Sequence, residues 1–214
     1  WYQNGQKKIE GEYKNGKPEG IFTWWYQNGQ KEIEGVYKNG KPEGIFTWWY
    51  QNGQKKYQVV IIGIKESYFI KEGNWTTWHE NGQKEQEGTY QDNMKVGKWT
   101  TWHENGSESG EETWKNGVED GASTKWYDNG LKLFEKTFKD GKLDGLSTGW
   151  YENGQKWWEA TYKDGKEDGK WTTWYENGQK RWEGTYKDGE LISAECWDED
   201  GNEMDCLPEE KYRR

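Results

Sequence analysis

Tryptophan and threonine recur along the chain on a fixed grid. Thr23, Thr47, Thr76, Thr100, Thr124, Thr148 and Thr172 form one column, and two residues on Trp25, Trp49, Trp78, Trp102, Trp126, Trp150 and Trp174 form another. Asn-Gly pairs at Asn4, Asn28, Asn52, Asn81, Asn105, Asn129, Asn153 and Asn177 keep the same step of 24 residues, with one interval of 29. A second turn follows eleven residues later, as in Asn15-Gly16 or Asp188-Gly189, and a third glycine recurs once per unit from Gly20 to Gly169. Between the turns, side chains alternate at the strand period of two. Each unit therefore predicts two antiparallel strands, such as 170–175 and 180–187, joined by Asn-Gly or Asp-Gly, with Gly169 closing the unit. The expected fold is all-β: an elongated antiparallel meander of repeated β-hairpins, a solenoid-like sheet. About eight repeats fill residues 1–187, with an insertion near 57–72, and residues 188–214 form a C-terminal capping unit and tail.

Turn length sets which residues share a face. A three-residue loop at Glu176-Asn177-Gly178 places Trp174 opposite Lys180 and Thr172 opposite Trp182, so Trp174, Trp182, Gly184 and Tyr186 share one apolar face. Gly11, Gly35, Gly88 and Gly184 are then expected beneath rings of the Trp174 column. The column Glu10, Glu34, Glu87, Glu111, Glu135, Glu159 and Glu183 falls on the solvated face. Trp24, Trp48, Trp75, Trp99, Trp157 and Trp171 are expected beside it.

Composition alters this picture in two ways. Only 30% of the 214 residues are apolar and 32% are charged, a balance typical of disordered chains. Yet 18 Trp, 14 Tyr and 5 Phe are present, and each buried ring removes about 150–250 Å² from water. The rings, not aliphatic side chains, are expected to supply the core. A formal charge of −9 argues against unaided binding to nucleic acid or anionic lipid. No apolar run is long enough for a membrane-spanning helix, and no signal-peptide pattern opens the sequence.

Candidate chemistry is sparse. His79 and His103 occupy the column otherwise held by Tyr26, Tyr50, Tyr127, Tyr151 and Tyr175, and their spacing of two strands, about 10 Å, suits no shared metal. The glutamate column repeats one environment, whereas acid–base catalysis needs two carboxylates held in different ones. The sequence therefore points to no enzyme, metal or cofactor. Exposed rings beside carboxylates make a binding surface, with Trp24, Trp48, Tyr26, Tyr50, Glu10, Glu34, Trp75 and Trp99 as the candidate contacts. Cys196 and Cys206 flank the last turn, diagonal to one another, and a disulfide between them favours an extracytoplasmic location. The aliphatic insertion Val59–Lys71 is expected to extend a hairpin, cover a sheet edge or dock a partner.

Trp-Tyr-Glu-Asn-Gly-Gln-Lys at Trp150–Lys156 and Glu-Gly-Thr-Tyr-Lys-Asp-Gly at Glu183–Gly189 resemble the bacterial variant of MORN repeats, found in proteins named YwqK-like antitoxins. The resemblance implies an elongated sheet of hairpins that contacts another protein, with toxin neutralisation as the role the name suggests, and carries no catalytic residues. The alternative reading is a secreted or surface-attached module binding glycan or cell wall, on a looser resemblance to Trp/Tyr-rich repeats of cell-wall proteins.

Overall fold

A computed structural model of the chain describes residues 1–65 and 68–206. The part of the insertion at residues 66–67, and the tail from 207 on, lie outside the described residues. The chain divides into two compact units, Trp1–Ser107 and Glu108–Arg214. The first holds β1 (Ile9–Lys14), β2 (Lys17–Trp25), β3 (Lys31–Lys38), β4 (Lys41–Trp49), β5 (Lys55–Lys65), β6 (Tyr68–Trp78), β7 (Lys84–Gln91) and β8 (Met94–Trp102). The second holds β9 (Glu108–Lys115), β10 (Val118–Trp126), β11 (Lys132–Lys139), β12 (Lys142–Leu143), β13 (Gly145–Trp150), β14 (Lys156–Lys163), β15 (Lys166–Trp174), β16 (Lys180–Lys187), β17 (Glu190–Trp197) and β18 (Glu203–Met204). Within each unit the strands form an antiparallel meander in chain order, with β12 and β13 sharing β11 as their partner. The all-β hairpin-repeat expectation holds.

The two turns of a repeat differ in kind. At the second turn both residues take left-handed geometry, as at Asn15 (φ 52°) and Gly16 (φ 75°), which gives the two-residue turn whose twist matches its strands. At the first turn only the glycine does, as at Gly178 (φ 84°). There the Tyr175 N–H donates to the Gln179 carbonyl and the Gly178 N–H to the Tyr175 carbonyl, each at 2.9 Å, so the loop is the expected three-residue one.

A bulge overturns the expected faces. Trp174 pairs with Lys180 as predicted, but Thr173 then pairs with Trp182 and Thr172 with Glu183. Arg181 is the extra residue, and Glu32, Lys56, Glu85, Leu133 and Trp157 are its equivalents. One inserted residue inverts every side chain beyond it. The threonine, Trp174 and glutamate columns therefore share one face, and the Trp171, Trp182, Gly184 and Tyr186 columns share the other. The third glycine is corrected too: Gly169 (φ 123°) lies inside β15 at a second bulge and does not close the unit.

On the ring face the apolar core of the first unit is a ladder. Tyr13, Phe22, Tyr37 and Phe46 meet edge to face at 5.2–5.6 Å between centroids. Trp48, Tyr57 and Trp75 continue it by stacking, and Tyr90 and Trp99 by edge contacts. Phe46 is 2% exposed and Trp99 1%. Glycine makes this packing fit, because a Cβ on Gly35 would stand 2.1 Å from the Phe46 ring and one on Gly88 2.1 Å from the Trp99 ring. The rings over these glycines thus belong to the Phe22 column, not to the Trp174 column. The insertion lengthens β5 and β6 to 11 residues each and buries Val59 and Ile61 beside Phe46, so it extends a hairpin.

Polar staples join successive repeats. The hydroxyls of Tyr2, Tyr26 and Tyr50 donate to the carbonyls of Trp25, Trp49 and Trp78, and those of Tyr127, Tyr151 and Tyr175 to Trp150, Trp174 and Trp197. The loop asparagines do the same with their side-chain amides, as from Asn153 to the Glu176 carbonyl and from Asn177 to the Glu199 carbonyl. The last loop keeps the same geometry, with the Asp198 N–H donating to Asn202 and the Gly201 N–H to Asp198. Asp198 and Asp200 stand there in place of the tyrosine and the asparagine.

Candidate functional site

On the threonine face six repeats assemble the same polar cell. Lys31 Nζ lies 5.4 Å from the centroid of the Trp49 ring and 2.5 Å from the Glu34 carboxylate, which accepts from Thr23 Oγ1 across the strand pair. Lys7, Lys84, Lys132, Lys156 and Lys180 repeat the arrangement over Trp25, Trp102, Trp150, Trp174 and Trp197. Each of these lysines also ion-pairs with the glutamate three residues on. Glu183 takes both Lys180 and Lys170, and the bond from Lys180 chiefly holds its carboxyl below the usual carboxylate range. Lys55 departs from the pattern, with Gln58 in place of the glutamate, and Gln58 instead donates to Thr47 Oγ1 at 2.9 Å. Six members of the glutamate column thus share one cell, with Glu10 and Glu34 held by Lys7 and Lys31, while before Glu111 the lysine position holds Glu108.

The same face carries an aliphatic strip in the first unit. Ile21 pairs with Val36 across β2 and β3, and Ile45 with Val60 across β4 and β5. Ile21 is 62% exposed and Ile45 55%. Val36 is also the nearest neighbour of Gly44, beside Ile45. Other repeats put Asn74, Lys98, Ala122, Leu146 or Lys170 in the isoleucine column and Thr89, Thr113, Thr137, Thr161 or Thr185 in the valine column. The hairpin does not require these apolar groups. Column reading could have found the strip, as valine beside isoleucine where these repeats put threonine.

The predicted ring patch is taken apart by the bulge. Trp24, Trp48, Trp75 and Trp99 do not lie beside the glutamate column but in the ring ladder on the opposite face, where Trp24 packs on Phe22 and Tyr37 and Trp48 on Phe46 and Tyr57. Trp171 likewise meets Trp158, Tyr162 and Tyr186. Tyr26 and Tyr50 are the hydroxyl staples described above. Trp157, as a bulge residue, sits 6.2 Å from the Tyr151 ring, where Lys56 and Arg181 lie over Tyr50 and Tyr175.

Over β9–β13 the ring face changes character. Ser123 and Ser147 replace the rings, and Glu112 and Lys136 replace the glycines opposite them. Glu112 ion-pairs with Lys125 at 2.6 Å and accepts from the Trp114 indole N–H at 3.1 Å. Burial, with Glu112 nearby, raises the pKa of Glu119 despite a hydrogen bond from Ser123. Beside this stretch, Lys136, Leu143, Trp157, Trp158, Tyr162, Trp171 and Thr173 line an open-sided cavity of about 260 Å³.

His79 performs the tyrosine's task, its Nε2 lying 2.9 Å from the Trp102 carbonyl oxygen. Among the described residues no group of three His, Cys, Asp or Glu side chains is placed to hold a metal. Cys196 and Cys206 form a disulfide with Cα atoms 5.3 Å apart, and since Cys196 pairs directly with Met204 the bridge is diagonal, as expected. Residues 1–15, 18–39, 42–60, 71–92, 143–164 and 167–188 match the family described as MORN repeat variant. No curated protein matches the chain.

Proposed function

The chain belongs to the MORN repeat variant family, and on that premise we propose that it is a non-enzymatic scaffold whose first unit binds a protein partner. One observation carries this reading: the exposed Ile21 and Ile45 pair with Val36 and Val60, where five sister repeats put threonine in the valine column, so that only the first unit joins two apolar columns into a strip. An exposed apolar row that the fold does not need is what a protein interface uses at its centre. The lysine, glutamate and threonine cells around it supply a polar rim. Toxin neutralisation is the specific form of this function, supported by the resemblance to YwqK-like antitoxins. The non-enzymatic reading draws on the glutamate column, six of whose seven members sit in the same lysine-paired environment instead of setting two carboxylates apart.

The test is affinity capture from the native host, identification of the bound protein, and titration of that protein against the variant Ile21→Lys/Ile45→Lys. Lysine is the natural residue of this column at Lys98 and Lys170, so circular dichroism and the urea midpoint should stay unchanged. Affinity should fall at least about 100-fold, the scale of losing a central contact. Unaltered affinity in the folded variant rejects the strip.

A further inference from the structure

We propose that the cavity of the second unit, between β11, β14 and β15, binds a single sugar ring that carries a carboxylate. This site shares no residue with the aliphatic strip and stands or falls independently of it.

One departure from the repeat shapes the pocket. The bulge position taken by Glu32, Lys56, Glu85, Leu133 or Arg181 elsewhere holds Trp157, and its indole forms one wall. A ring is present where the repeat places none. The result is a cavity of about 260 Å³, below the roughly 300–1,000 Å³ of drug-sized sites, which limits the occupant to about one ring.

Its lining selects the occupant's chemistry. Trp158 and Trp171 meet at 47° and Tyr162 and Trp171 at 56°. Walls so inclined do not make the parallel slot that sandwiches a flat aromatic ligand. They fit a puckered ring, whose axial C–H bonds, polarised by neighbouring oxygens, meet the electron-rich faces of indole and phenol. Lys136 is the one charged residue of the lining, and its ammonium stands 4.3 Å from the Phe134 ring centroid. A molecule of net charge −9 thus presents a cation, and no lining carboxylate, at this cavity. That favours an anionic substituent on the sugar. Thr173 also lines the cavity, and its buried Oγ1 has no hydrogen-bond partner among the described residues. A sugar hydroxyl reached by rotation of this side chain would satisfy it, where an apolar guest would leave it orphaned.

Ligand-observed NMR and tryptophan fluorescence titration of the whole chain with sodium glucuronate, methyl glucoside and sodium benzoate test the proposal. Glucuronate should bind saturably and about tenfold more tightly than methyl glucoside, the scale of one charge-assisted contact, and benzoate should not compete. Lys136→Gln should bring glucuronate down to the methyl glucoside level with an unchanged urea midpoint. Trp157→Ala should abolish both sugars while the hairpin folds, since the bulge position accepts polar residues elsewhere. Absence of saturable sugar binding, indifference to Lys136→Gln in a folded variant, or benzoate binding as tightly as glucuronate each overturns it.

Discussion

In the first unit Phe22, Phe46, Trp75 and Trp99 fill a column that Ser123 and Ser147 occupy over β9–β13, and the residues facing that column change with it. Gly11, Gly35 and Gly88 lie under rings, whereas Glu112 and Lys136 lie opposite serines. At these pairs a large group on one side goes with a small one on the other, although Val59 stands opposite Phe46 and Trp75. Repeats of identical backbone thus keep close packing by two chemistries, one apolar and interlocked, the other polar and ion-paired. The family match is interrupted over 93–142, the stretch that contains most of the polar version. Its hairpins nevertheless keep the three-residue loop at Tyr127–Leu131 and the left-handed pair at Asp140 and Gly141. Turns and staples specify the backbone, and the ring face is free to vary.

Truncation within one column should break the symmetry of this comparison most strongly. Trp99→Ala removes a ring that is 1% exposed and should cost about 3–5 kcal/mol, read as a lower urea midpoint and faster amide exchange in β7 and β8. Ser147→Ala, in the same column, deletes a buried hydroxyl with no hydrogen-bond partner among the described residues and should be neutral or slightly stabilising. Equal losses at the two sites would mean that both stretches rely on the column alike.

Adding a methyl where the ring lies closest comes next. Gly35→Ala drives a Cβ to within 2.1 Å of the Phe46 ring and should cost about 1–3 kcal/mol through displacement of that ring. The equivalent position in β14 already carries the buried Ala160, so a loss at Gly35 would locate the sensitivity in the phenylalanine packing and not in the backbone. A midpoint unchanged within error would show that Phe46 tilts away freely.

The smallest effect is a pH dependence of opposite sign at two glutamates. Glu119 has a raised folded-state pKa, caused first by burial, so its contribution is fully present below the ordinary glutamate value and is lost as pH rises through the raised one. Glu183 is lowered, chiefly by Lys180, so its contribution is present above the ordinary value and is lost as pH falls through the lowered one. Glu119→Gln should therefore raise the urea midpoint slightly at pH 7, a gain that vanishes near pH 4. Glu183→Gln should lower the midpoint at pH 7, with a deficit that shrinks in acid. The same slope for both variants would place Glu119 in a solvated setting.

Much of this fold is legible in the sequence because its signals are local. Asn-Gly spacing gives strand ends; the three-residue loop, expected because it would bring Trp174, Trp182 and Tyr186 to one face, is present although the bulge undoes that reason. The faces are not legible from the loop alone, since Arg181 and its equivalents each add one residue and turn the rest of the strand over. A signal was present: this position runs Glu32, Lys56, Glu85, Leu133, Trp157 and Arg181, the unconstrained mixture expected of a residue outside the pairing ladder. Size complementarity between Phe46 and Gly35, or between Ser123 and Glu112, points the same way. The cavity is harder to read from sequence, because it depends on Trp157 departing from its column and on which face the bulge turns its neighbours to.

The staples between loops have a direction. Within each unit the loop tyrosine hydroxyls and asparagine amides, such as Tyr26 and Asn28 or Tyr151 and Asn153, donate to the following repeat, so a hairpin hands its polar groups forward and receives from behind. At the last described loop Asp198 and Asp200 hold the two donor positions, and ionised carboxylates have no proton to give. The staples thus run in one direction along the chain, and their chemistry changes at this loop. A hairpin inserted upstream would bring its own tyrosine and asparagine, which makes length a property that 24-residue duplications or deletions can tune.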